Sequence, residues 1–193
     1  AWFAVEVESG QKTNLTENLG VPVHDILDDH PDALRSYGSA GWTEGDRAFI
    51  VYDRFDAWAL DPSGRAAPRN LTEGVGRQSD VRFRVIDLDP DEPYVPTDSD
   101  VYLTAFHLYT KASGVYRDRF DGNTAPERLV MDDVRFAAIR KAESADVILY
   151  ERSTFEEFPD VWVADADFAG ARKVTDANPQ QDEYLWGTAE LVE

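Results

Sequence analysis

Ala48-Phe49-Ile50-Val51-Tyr52-Asp53-Arg54-Phe55-Asp56-Ala57-Trp58-Ala59-Leu60-Asp61-Pro62 decides how this chain folds. Ala48 to Tyr52 is a nearly continuous apolar run, as expected of a β-strand covered on both faces. Asp56 to Asp61 reads as the next strand, and Pro62-Ser63-Gly64 turns the chain. Pro68-Arg69-Asn70-Leu71-Thr72 follows as an outer strand, where proline is tolerated because an edge needs fewer ladder donors. Upstream, Ser39-Ala40-Gly41-Trp42 supplies a first strand, closed by a Glu44-Gly45-Asp46 turn. The segment is therefore a four-stranded antiparallel unit.

The unit recurs. An aromatic residue in an apolar run is followed 12 or 13 residues later by an aliphatic residue: Phe3 by Leu15, Trp58 by Leu71, Tyr116 by Leu129 and Trp162 by Val174. Three copies end on threonine, as Asn14-Leu15-Thr16, Asn70-Leu71-Thr72 and Lys173-Val174-Thr175. The aliphatic anchors lie 56, 58 and 45 residues apart. Short β-type runs at such a period are the signature of β-propeller blades, each of which must stack on its neighbours to bury its faces.

The expected fold is thus all-β: a partial β-propeller over 1–183 with about three whole blades and partial blades at both ends. The blades are placed at 38–74, 80–131 (Val81 to Ile86, Val101 to Leu108, Gly114 to Phe120, Glu127 to Val130) and 134–178 (Phe136 to Lys141, Val147 to Tyr150, Asp160 to Ala164, Ala171 to Thr175). Residues 1–20 supply two strands of another blade, Trp2 to Glu8 and Gln11 to Thr16. Residues 184–193 are read as a further inner strand, beginning near Glu183. The acidic segment Gly20 to Tyr37 is an insertion with a short helix expected over Asp25 to Leu34. Asp87 to Asp100, with Pro90, Pro93 and Pro96, and Ser153 to Pro159 are loops of a length that is usually functional or mobile.

Composition limits the functions open to the chain. Its 38 acidic and 19 basic side chains give a formal charge of −19, a surface that repels phosphate backbones and anionic membranes. Hydrophobic residues at 42% and aromatics at 12% suffice for a core, so the acidity does not imply disorder. No apolar run is long enough to span a membrane as a helix. The absence of cysteine removes disulfides, thiolate zinc sites and cysteine nucleophiles. The opening Ala1-Trp2-Phe3-Ala4-Val5 lies inside a strand-like run, so the chain reads as the interior of a longer protein; without cysteine it suits the cytoplasm, or export as a chain large enough to need no cross-links.

Few motifs carry chemistry. The nearest string to a nucleophile elbow, Gly38-Ser39-Ala40-Gly41, has the wrong spacing and precedes a strand. His24 and His30 lie in the acidic insertion with Asp25, Asp28, Asp29 and Asp32; imidazole and carboxylate suit zinc or manganese, but six residues do not place two ligands on one helix face. His107 reads as a strand-end histidine. Asp87, Asp89, Asp91 and Glu92 have the odd-position carboxylates of a calcium loop without its glycine. The sequons at Asn14 and Asn70 recur at one repeat position, which favours a role in the turn. Glu156 and Glu157 form a carboxylate pair that reads as a solvated loop tip. No catalytic, cofactor or metal residue is assigned.

The segments Ala48 to Pro62 and Arg69-Asn70-Leu71-Thr72 resemble the propeller of prolyl oligopeptidase-type serine peptidases, the group that includes dipeptidyl peptidase IV. Glu157-Phe158-Pro159-Asp160-Val161-Trp162, Thr175-Asp176-Ala177-Asn178-Pro179-Gln180-Gln181 and Tyr184 to Glu193 resemble a bacterial branch. The blade pattern alone also suits a TolB-like scaffold propeller that binds a protein partner. The peptidase resemblance implies a propeller that caps an α/β-hydrolase domain lying beyond the chain, and peptide substrates for the whole enzyme. In dipeptidyl peptidases paired glutamates hold the substrate amino terminus; Glu156 and Glu157 match only as a dipeptide, so the role is not transferred. Bare end blades imply self-association of the isolated chain.

Overall fold

The computed structural model describes residues 1–89, 91–120 and 124–192, so Pro90 of the acidic loop and Glu193 lie outside the described residues. The chain is all-β, with four antiparallel sheets. The first sheet pairs β1 (Phe3–Val5) with β2 (Lys12–Asn14). The second is the meander β3 (Ser39–Trp42), β4 (Phe49–Tyr52), β5 (Ala57–Leu60) and β6 (Arg69–Asn70). The third runs β7 (Val81–Val85), β8 (Val101–His107), β9 (Ser113–Asp118) and β10 (Glu127–Asp132). The fourth runs β11 (Arg135–Lys141), β12 (Val147–Ser153), β13 (Asp160–Asp165) and β14 (Arg172–Lys173). Turn chemistry separates the strands. After β5, the Asp61 carboxylate accepts from the Ser63 hydroxyl and from the amides of Ser63, Arg65 and Ala66. These bonds, led by the Ser63 hydroxyl, pull its pKa down to about 2.

The sheets stack through faces that repeat position by position. Trp2, Ala4 and Leu15 of the first sheet pack with Val51, Trp58 and Leu60 of the second. Ala57, Ala59 and Leu71, on the second sheet's other face, pack with Phe83, Leu103 and Tyr116 of the third. Val115 and Leu129 then pack with Tyr150, Trp162 and Ala164 of the fourth. Each sheet after the first therefore offers a forward face of small and aliphatic residues and a backward face led by the repeat aromatic; in the first sheet Trp2 joins Ala4 and Leu15 on the forward face. Strand alternation makes this possible, because neighbouring residues of one strand point to opposite faces.

The threonine that ends three of the repeats has a defined task. Its hydroxyl accepts the amide of the residue before the aromatic: Trp2 to Thr16 at 3.1 Å, Ala57 to Thr72 at 3.4 Å and Val161 to Thr175 at 2.9 Å. In two sheets it also donates to an aspartate at the start of the third strand, Thr72 to Asp56 at 2.7 Å and Thr175 to Asp160 at 2.7 Å. This side-chain latch replaces the ladder, so β6 and β14 each pair over only two residues. The third sheet has Gly114 and Val130 at the latch positions, and its outer strand stays paired through Asp132. The backbone approach there leaves no room for a side chain: a Cβ on Gly114 would stand 2.1 Å from the Val130 carbonyl oxygen.

Three features depart from the sequence reading. Asp25 to Leu34 forms no helix; the segment is closed instead by a bridge between His24 and Ser36 and by backbone bonds from the Asp25 amide to the Arg35 carbonyl and from the Tyr37 amide to the Val23 carbonyl. Residues 184–192 form no inner strand. A strand needs a partner ladder, and these residues pair with none among the described residues; a short 3₁₀ turn, Pro179–Glu183, precedes them. Between β6 and β7 lies a one-turn helix, α1 (Val75–Gln78), which the sequence did not announce because Gly74 and Gly76 read as turn residues.

The latch makes two stability predictions. Thr72→Val deprives the buried Asp56 carboxylate of its shortest donor and lowers stability by about 1–3 kcal/mol, whereas Thr72→Ser retains most of it. Gly114→Ala forces β9 and β10 apart and lowers stability by about 1–3 kcal/mol. Urea unfolding measures both; a Thr72→Val chain as stable as wild type removes the latch from the account.

Candidate functional site

A dense polar constellation lies at the β4–β5 turn, Asp53-Arg54-Phe55-Asp56. Asp53 and Asp56 are fully buried. Asp53 Oδ1 accepts the amides of Phe55 and Asp56 at 2.7 and 2.6 Å, and Oδ2 receives Arg77 Nη2 at 2.6 Å. Asp56 accepts from Thr72, from the Gly76 amide at 3.0 Å and from the Arg77 amide at 3.3 Å. From the third sheet, Arg84 donates to the carbonyls of Asp53 and Phe83 and lies over the Tyr52 ring at 4.4 Å. Burial raises the Asp56 pKa, with the neighbouring Asp53 charge adding to it, and burial followed by repulsion from Arg82 pulls Arg84 down to about 10. Every carboxylate oxygen here is engaged. The group is a clasp between the second and third sheets rather than a site with a free acid or base.

Two clefts open on the stack. One, of about 480 Å³, has Ser79, His107, Asp132 and Asp133 in its lining. The residue types are those of a hydrolytic triad, but the hydrogen bonds are not. Ser79 Oγ donates to the Val75 carbonyl at 2.6 Å. His107 Nδ1 accepts the amides of Tyr109 and Thr110 at 3.2 and 3.1 Å, whereas a triad histidine donates from Nδ1 to its carboxylate. His107 is thus the cap of the turn after β8, the strand-end role read from the sequence. The second cleft, of about 470 Å³, lies between the second and third sheets and combines Ile50, Leu71 and Phe120 with Arg47, Arg69 and Asp98.

The other residues singled out in the sequence are placed as follows. Asp28, Asp29 and His30 bring three ligand-type atoms within 4.8 Å of one another, while His24 stays apart in its bridge to Ser36. His30 Nδ1 and its amide both engage Asp28 Oδ1, at 2.6 and 3.1 Å, and these bonds hold the Asp28 carboxyl below its ordinary range. Asp25 accepts the Leu27 amide and the Tyr37 hydroxyl. Asp89 closes a local turn through the Asp91 amide. Asn14 and Asn70 each accept both the amide and the hydroxyl of the threonine two residues on, a turn role shared by both sequons. Glu157 pairs with Arg152 at 2.6 Å, and both glutamate amides bond Thr154 Oγ1. The Glu156 carbonyl receives Gln181 Nε2, and the Phe155 carbonyl receives Trp186 Nε1 at 3.0 Å. Ser39 of the Gly38–Gly41 string is an ordinary β3 residue opposite Val51.

One group was missed. Asp118 is 4% exposed; among the described residues its Oδ2 has no hydrogen-bond partner, and its Oδ1 takes the Arg119 amide at 2.7 Å. Aligning the repeats on their aromatics would have found it, since Asp118 stands where the neighbouring sheets carry Leu60 and Ala164. Burial pushes its pKa up to about 6, opposed by the Arg119 amide bond, with the Glu73 charge adding to the rise and Arg69 offsetting it. No family model, curated protein or solved structure matches the chain.

The Asp118 carboxylate sets a pH dependence. Its folded pKa of about 6 lies above the ordinary 3.8, so the native state holds the extra proton between these values. Stability rises as pH falls through that window, and the full penalty, on the order of 1–2 kcal/mol after allowance for solvent screening, applies above it. Asp118→Asn is expected to stabilise the chain at pH 7.5 and to lose that advantage by about pH 4. Equal stabilities at both pH values would show that Asp118 is not strained by its surroundings.

Proposed function

We propose that the four sheets are consecutive blades of a β-propeller, and that this propeller is the non-catalytic part of a prolyl oligopeptidase-type serine peptidase. The observation that carries the reading is the repeat itself. Three four-stranded meanders of one strand order stack through equivalent faces, and three of the four outer strands end on the same threonine contact. The sequence strings around Ala48 to Thr72 and Glu157 to Trp162 add the resemblance to that peptidase group.

In this reading the propeller selects substrates by exclusion. A ring of rigid sheets walls off the hydrolase site, so short or flexible peptides pass and folded proteins do not. The nucleophile, base and acid belong to the α/β-hydrolase domain. The strong negative charge adds a preference for approach by cationic peptides.

The test compares the 193-residue chain with the complete product of its gene. The chain alone is expected to leave proline- and alanine-containing chromogenic peptides intact and to take no fluorophosphonate label. The complete product is expected to take the label and to cleave short peptides at least a hundredfold faster than folded proteins. Turnover by the purified chain would overturn the assignment. A gene product without a labelled serine, held to a protein partner through one face of the stack, would make the chain a scaffold propeller instead.

A further inference from the structure

We propose that the cleft between the second and third sheets binds a short zwitterionic peptide, an unblocked dipeptide with small aliphatic side chains. The proposal rests on the walls of the cleft, not on the peptidase reading. Those walls belong to consecutive sheets within the chain, so neither terminus bounds them. Arg47 and Ala48 reach the cleft from the β3–β4 turn, Ala59 from β5, and Thr97 and Asp98 from the loop before β8. Its volume of about 470 Å³ lies in the range of small-ligand sites.

Hydrogen bonds fix these walls. The loop before β8 is anchored to the second sheet, where the Val95 amide donates to the Trp42 carbonyl at 2.8 Å, and Val95 itself is buried. Arg119 Nη2 holds the Asp98 carbonyl at 2.6 Å, and Arg69 Nη2 crosses between the sheets to the Phe120 carbonyl at 2.6 Å. The Thr43 hydroxyl accepts the Ala48 amide at 3.0 Å and sets the turn that carries Arg47. The apolar part of the lining combines half-buried Ala48 and Ala59 with the buried Ile50, Leu71 and Phe120.

The same lining carries an unmatched charge of each sign. Arg47 Nε donates to the Glu44 carbonyl at 3.0 Å, but its guanidinium reaches the Glu44 carboxylate only at 4.0 Å. The arginines nearest Asp98 in sequence, Arg117 and Arg119, turn to Asp100 instead, at 3.8 and 3.9 Å. Among the described residues the Asp98 side chain is left without an ion-pair partner. A guanidinium beside apolar groups favours a carboxylate, and an acid in the same cleft favours an ammonium group. A dipeptide carries these two charges at its opposite ends, roughly 7 Å apart when extended, with its side chains between them. A phosphate ester or a fatty acid answers Arg47 and leaves Asp98 unmatched; a simple amine does the reverse.

Amide NMR shifts of the full chain, titrated with alanyl-leucine to 10 mM at pH 7, test this. Saturable shifts are expected at the cleft, at Thr43, Ala48, Ala59 and Thr97. N-acetylating the dipeptide or amidating its carboxylate removes one end charge, and each change is expected to weaken binding at least tenfold. Arg47→Gln and Asp98→Asn alter exposed side chains and are expected to keep the wild-type melting temperature. Each weakens alanyl-leucine at least fivefold. Amidation then costs the Arg47→Gln chain nothing more, and acetylation costs the Asp98→Asn chain nothing more, because the partner of that charge is already gone. The proposal is overturned if no shift saturates by 10 mM, or if the blocked dipeptides bind as tightly as the free one. Variants that bind like wild type overturn it as well.

Discussion

Every sheet in this chain has apolar side chains on both of its faces, and a lone antiparallel sheet can shelter neither. That constraint dictates the rest. Ile50 and Val51 are adjacent in β4, point to opposite sides and are both completely buried, one toward the third sheet and one toward the first. A strand of this kind is stable only as the middle layer of a stack. The aromatic on each backward face supplies the bulk, and the forward face it meets, small and aliphatic except for Trp2 in the first sheet, receives it. The pairs Trp2–Phe49 and Phe83–Tyr116, with ring centroids 5.2 and 5.0 Å apart, show the edge-on packing that such faces permit.

Stacking apolar faces leaves the strand ends to be finished with polar groups, and the chain does this economically. A single threonine hydroxyl accepts one amide across the gap where the ladder stops and, in two sheets, donates to an aspartate. In the second sheet that aspartate also bonds α1, so the outer strand, the turn and the start of the third sheet form one network. Asp53 extends it to Arg77. Buried carboxylates are tolerated because their lone pairs are filled. Where the threonine is lost, at Val130, the glycine at 114 lets backbone take over from side chain. The third sheet thus keeps the architecture by a different bond, with a longer outer strand as the visible result.

The strands were legible because two signals coincided: unbroken apolar runs such as Ala48 to Tyr52, and turn residues such as Asp61-Pro62-Ser63-Gly64 between them. Signals that lacked a partner misled. Tyr184 to Leu191 has the apolar content of a strand, but content does not supply a neighbouring ladder. Asp25 to Leu34 was read as a short helix despite Pro31 in its middle, and the Asp28–His30 bonds and the His24–Ser36 bridge hold it as a loop. The roles of Asp53, Asp56 and Arg77 were not legible, because they depend on an arginine 24 residues away entering the same turn. His107, Asn14 and Asn70 were read correctly as structural, since their meaning is local: each bonds backbone or side-chain groups within three residues.

Asp118 shows what the repeat tolerates. Its position faces the sheet before it, where sister sheets use Leu60 or Ala164, and among the described residues the substitution leaves a carboxylate oxygen without a donor near Glu73 and Arg69. In a stack whose stability is a sum of neighbouring interfaces, a weak point of this kind falls on one interface only, here that of the second and third sheets. That interface is also the one reinforced by Arg77, by Arg84 over Tyr52 and by the Tyr52 hydroxyl on the Val85 amide. A strained group and a cross-sheet polar clasp therefore sit at the same junction. The junction holds because polar bonds with well-fixed geometry compensate for the apolar contact that Asp118 gives up, and its balance shifts with the proton that Asp118 binds.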